Sequence, residues 1–100
     1  MTILSRPSFE RAYKNLSSEA QAEVRSAAAL LPEAFGKPHV HQGLGVRKVG
    51  KYFEFRVGLK LRVLFVVRKG DAILVTVGDH DGIVRFVRDN PKISPVAPFQ

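Results

Sequence analysis

Three histidines and one arginine are the side chains of this chain best suited to chemistry. His39 and His41 stand two apart in the stretch 36–43, GKPHVHQG, and in an extended segment they share a face. His80 follows an apolar run and sits between Asp79 and Asp81, with Gly78 and Gly82 outside them. Strand ends flanked by glycine present side chains to ligands, and an imidazole gives or takes a proton close to neutral pH. Arg62 lies early in another apolar run. A guanidinium stays charged and grips a phosphate through two parallel hydrogen bonds. A base for the 2′-hydroxyl, an acid for the departing 5′ oxygen and a cation for the charge building on the phosphate oxygens are the parts that RNA cleavage needs. That chemistry calls for no metal and no other cofactor. Each residue also has a plainer reading. Arg62 could pair with Glu54 on a neighbouring strand, worth at most about 1 kcal/mol at a surface, and His80 could be a bystander in a turn. Asp79, His80 and Asp81 with His39 and His41 do not make a convincing metal site, because the basic surroundings repel a cation.

The central positioning element is the stretch 51–67, KYFEFRVGLKLRVLFVV. It reads as two strands, 52–57 and 60–67, turned at Gly58. In the first, Phe53, Phe55 and Val57 alternate with Tyr52, Glu54 and Arg56, the pattern of a strand with one buried face. In the second, Leu61, Val63, Phe65 and Val67 alternate with Lys60, Arg62, Leu64 and Val66, so its second face begins basic and turns apolar. A strand apolar on both faces belongs in the middle of a sheet. Residues 44–49 form a basic strand before it, 72–77 an apolar one after a turn at 68–71, and 2–5 a weak first strand. Residues 83–87 fit either one helical turn or a strand extension.

Upstream, Phe9, Ala12, Tyr13 and Leu16 fall on one helical face behind Pro7. Ser18 with Gln21 suits a capping box for a second helix, whose stripe is Ala20, Val24, Ala27, Ala28 and Leu31 and which stops by Gly36 and Pro38. The expectation is an α+β fold, an N-terminal helical hairpin packed on a small antiparallel sheet. One domain spans 1–90, and 91–100 is a tail rich in proline.

Charge is distributed unevenly. The chain has 100 residues and a net charge of +7. Residues 44–69 carry eight Lys or Arg against Glu54 alone, so the whole excess lies on the predicted sheet. Basic edge strands also guard against aggregation, but this concentration favours an anionic partner. Arg47, Lys48, Lys51 and Arg56 are the candidates for its backbone phosphates. There is no cysteine, so disulfides and thiolate metal sites are excluded. No apolar run is long enough for a membrane helix, and no signal peptide is recognisable, which makes a cytoplasmic protein the expectation.

The order of these pieces resembles the RelE/ParE superfamily of toxin–antitoxin toxins. The resemblance rests on the helix pair, the loop GKPHVHQGLGVRKV, the stretch YFEFRVGLKLRVLFVV and the ending VGDHDGIVRF, over about residues 3–88. It implies a microbial-ribonuclease-like fold and a cognate antitoxin bound in a hetero-oligomer. In ribosome-dependent members it also implies cleavage of mRNA on the ribosome. By the resemblance, Arg62 falls at the strand arginine that binds phosphate and His80 at a C-terminal catalytic histidine. His39, or His41 in an alternative alignment, falls where one subgroup has a glutamate base and another a histidine. Phe53 and Phe55 stand where some nucleases have lysine, and Asp81 where they have an aromatic, with Phe86 or Val84 as the nearest substitute. A gyrase-inhibiting relative, or a toxin-like binding domain without nuclease activity, therefore stays open beside the nuclease, as does a general RNA-binding module stacking bases on Tyr52 and Phe86.

Overall fold

A computed structural model describes residues 1–35 and 44–92. The elements run β1 (Ile3–Ser5), α1 (Pro7–Lys14), α2 (Ser18–Ala34), β2 (Arg47–Val49), β3 (Tyr52–Val57), β4 (Leu61–Arg68), β5 (Asp71–Gly78) and α3 (His80–Asp89). The architecture is α+β, with a five-stranded sheet and three helices among the described residues. The strands lie in the order β1-β5-β4-β3-β2, which puts β4 at the centre. The three hairpins β2–β3, β3–β4 and β4–β5 are antiparallel. β1 runs parallel to β5, so the sheet is mixed and the purely antiparallel expectation is corrected. The physical reason is topological: the two helices and the whole meander intervene before the chain returns beside β1, and so long a connection permits a parallel pair.

Local chemistry sets the turns. Val49 and Tyr52 are register partners across Gly50 and Lys51, and Gly50 has φ 60°. Lys69 (φ 51°) and Gly70 (φ 80°) close β4 onto β5, and two successive positive φ values define a type I′ turn. α2 is capped by Ser17, one residue earlier than the sequence suggests, through its hydroxyl accepting from the Ala20 amide at 3.1 Å. A β-bulge interrupts β4–β5, where Leu64 opposes Thr76 but Phe65 opposes Leu74. Val75 is the extra residue, and its carbonyl accepts the Ser8 hydroxyl of α1 at 2.5 Å.

Both faces of the sheet are used. On the first, Phe55, Val57, Val63, Phe65, Leu74 and Val77 are buried together with Phe9 of α1 and Val24, Ala28 and Leu31 of α2. On the second, Tyr52, Leu64, Val66, Ile73 and Val75 are buried with Ile83 of α3, flanked by Phe86 and Val87. The alternation in 52–57 therefore does not separate core from solvent. Tyr52 and Glu54 are both 1% exposed, although the sequence pattern turns them outward. The two have different causes: α3, a ten-residue helix where 83–87 fits either one helical turn or a strand extension, roofs Tyr52, whereas Glu54 is enclosed by its ion partners Arg47 and Arg62 on the flanking strands.

Candidate nucleic-acid interface

α3 covers only part of the second face, and the rest is a charged floor. Period-2 alternation places Glu54 of β3 and Arg62 of β4 on the same side as Tyr52, Leu64 and Val66. Glu54 is the one charged side chain buried among the described residues. Its Oε1 accepts from Arg47 Nε at 2.7 Å and from Arg62 Nη1 at 3.2 Å. Arg47 and Glu54 are direct register partners, whereas Arg62 reaches Glu54 diagonally from the position before Val63. A carboxylate this deep in an apolar sheet is tolerable only with such partners. The Arg62 side chain keeps 24% of its surface exposed and that of Arg47 keeps 59%.

His80 enters the same side of the molecule. Arg62 and Gly78 are register partners, and His80, two residues later, opens α3. Asp79 is the N-cap: its carboxylate accepts the Gly82 amide at 2.7 Å, and its carbonyl accepts the Ile83 amide at 3.0 Å. The Asp-His-Asp-Gly run is thus a helix start, and Asp79 is committed to the backbone. His80 is exposed at the first turn. At the other end of α3 the Tyr52 hydroxyl donates to the Asn90 carbonyl at 2.8 Å. The Tyr52 ring meets Phe86 edge-on at 6.2 Å. Burial pushes the Tyr52 phenol pKa up, with the Arg6 charge pulling it the other way. Tyr52 anchors the helix and is not available to stack a base.

The remaining basic candidates do not all gather here. Arg47, Lys48, Lys51 and Arg56 are exposed. Lys48 pairs in register with Phe53 and sits over its ring, 5.5 Å from the centroid, on the opposite face from Arg62. Lys51 is on the β2–β3 turn. Arg56 is the register partner of Arg62, but its guanidinium lies against Gly45. Gly45 has φ 65°, which favours glycine there; the 2.6 Å approach of a Cβ to Arg56 Nε would be relieved by a shift of that exposed, flexible side chain. The sequence reading missed Glu54 as a site residue. Its signal was present: it is the only acidic residue in 44–69. His39 and His41 lie outside the described residues. No group of three or more potential metal-binding His, Asp or Glu side chains occurs among the described residues, and no described helix is long and apolar enough to cross a membrane.

No protein-family model and no curated protein sequence matches the chain. Solved structures do. The RelB–RelE antitoxin–toxin complex from Methanococcus jannaschii matches with a TM-score of 0.64 at 15% identity, over 83% of this chain and 96% of the matched one. YafQ from E. coli matches with 0.65 at 11% identity, over 81% and 94%. The archaeal RelE–RelB complex from Pyrococcus horikoshii matches with 0.62 at 13% identity, over 78% and 92%. The fold is therefore that of the RelE-like toxins. The match extends over nearly the whole length of each of those chains, so the sheet and its helices correspond as a unit.

Proposed function

We propose that this protein is the toxin of a type II toxin–antitoxin pair and acts as a metal-independent, ribosome-dependent mRNA endonuclease. The observation that carries the reading is the open half of the second sheet face. There a buried carboxylate holds Arg62, whose side chain is partly exposed, and the strand register brings the start of α3, which His80 opens, next to the strand that bears Arg62. Arg62 neutralises the charge that grows on the phosphate oxygens. His80 protonates the departing 5′ oxygen, and His39 or His41 takes the proton of the 2′-hydroxyl. Arg47, Lys51 and Arg56 bind the backbone of mRNA or of the ribosome. Arg47 has the strongest claim, because it meets Arg62 on the same carboxylate. An antitoxin is the expected protein partner, since matched structures from Methanococcus jannaschii and Pyrococcus horikoshii are antitoxin–toxin complexes.

Regulated expression in a bacterial host tests the reading. The wild-type chain should arrest growth and cut reporter mRNA within its reading frame, and Arg62→Ala and His80→Ala should each abolish both effects. Arrest that persists in both variants, with cleaved plasmid DNA trapped on purified gyrase, would replace the nuclease by the gyrase-inhibiting alternative.

A further inference from the structure

We infer that Glu54 is the positioning residue of this site: it fixes the Arg62 guanidinium in the orientation that receives a phosphate and brings Arg47 to the same place. The inference rests on the ribonuclease reading above and assigns a role to a side chain that reading leaves unused. Glu54 is 1% exposed, and its register partner on β4, Leu64, is fully buried. An apolar residue would suit such a position as well for stability, because a desolvated ion pair gains little over a hydrophobic substitute of similar size. What the carboxylate does supply is convergence. Two cations from strands on either side of β3 reach one oxygen, Oε1, at 2.7 Å and 3.2 Å. Without it, like charges would drive the two side chains apart.

The choice of donor atoms leaves the useful edges free. Arg62 spends Nη1 on Glu54, which leaves Nε and Nη2, the side-on pair that matches two oxygens of one phosphate. Arg47 spends Nε, which leaves both terminal amino groups for a neighbouring phosphate of the same strand. The ligand is an RNA strand that offers successive phosphodiesters. An arginine already held in place loses less freedom when the transition state forms than one that must be immobilised then.

The test is single-turnover cleavage of mRNA on purified ribosomes by the full chain, with thermal melting of each variant alongside. Glu54→Gln preserves shape and removes the charge. It should slow the maximal rate at least tenfold while KM changes less than threefold, and it should add no further loss in an Arg62→Ala background. Glu54→Asp keeps the charge but withdraws it by one methylene. It should melt like the wild type and cut at an intermediate rate, which preserves the test if the glutamine variant fails to fold. A folded Glu54→Gln or Glu54→Asp protein with the wild-type rate overturns the positioning role, as does an undiminished Glu54→Gln loss in the Arg62→Ala background. In those cases the ribonuclease reading stands as long as Arg62→Ala is inactive. A wild-type chain that cuts nothing overturns both.

Discussion

The two faces of one sheet are built on different terms. The face under α1 and α2 is largely apolar. Phe65 stacks on Phe53 at 5.6 Å and meets Phe55 at 5.8 Å, and Phe35 packs edge-on against Phe53 at 5.3 Å. The face under α3 is split into an apolar half beneath the helix and an open half floored by Glu54, Arg47 and Arg62. The same strands thus present an apolar core on one side and a charged floor on the other. The first face supplies rigidity, and the second carries the site proposed for RNA cleavage. A site laid on strands whose backs are locked in a core is held more exactly than one carried on loops.

Substitutions that damage one face and spare the other break or sharpen this contrast. The largest stability loss belongs to the apolar face. Phe65→Ala empties a fully buried site among aromatic rings and should lower unfolding stability by about 3–5 kcal/mol in urea titration. On the roofed half of the other face the effect is smaller. Tyr52→Phe removes the hydroxyl bond to the Asn90 carbonyl, costing about 1 kcal/mol, and should loosen α3 selectively in amide hydrogen exchange.

Tyr52 also has a pH signature. Its folded pKa lies above the ordinary 10.0 because burial disfavours the phenolate. The folded state then holds this proton more tightly than the unfolded chain. The stabilisation is complete below pH about 10 and is lost as pH rises through the folded value. Tyr52→Phe should flatten the alkaline decline in melting temperature, and an unchanged decline would assign it to other groups. The smallest effect separates the two faces by charge alone. Lys48→Ala, on the apolar side, should change stability by less than about 0.5 kcal/mol and cleavage by less than threefold. Arg47→Ala, one residue earlier and on the open side, should cut cleavage severalfold.

Much of this arrangement is legible in the residues. Alternation in 52–57 and 60–67 marks β3 and β4 to within a residue of their observed starts and ends, and the apolar character of β4 on both faces puts it at the centre of the sheet. Turn chemistry at 68–71 marks the hairpin to β5. Two features escaped for physical reasons. α3 has only Ile83, Phe86 and Val87 as an inward stripe, too short for periodicity to separate helix from strand. Glu54 looked outward because a polar residue in an alternating strand ordinarily is; its burial depends on Arg47 and Arg62 arriving from two neighbouring strands, which no local pattern encodes. The resemblance to RelE-like toxins anticipated the fold. The sequence also offers the Arg62–Glu54 pair, as a surface ion pair; the burial of Glu54 and the arrival of Arg47 on the same oxygen came from the coordinates.

The most direct measurement of the central claim is cleavage of mRNA bound in purified ribosomes, compared between the wild-type chain, Arg62→Ala and His80→Ala at matched folded concentration. The account predicts cutting by the wild type and a loss of about a hundredfold or more in each variant, with melting temperatures within a few degrees of one another. Equal rates for all three proteins would contradict it and would place the function of this fold away from the open half of the sheet.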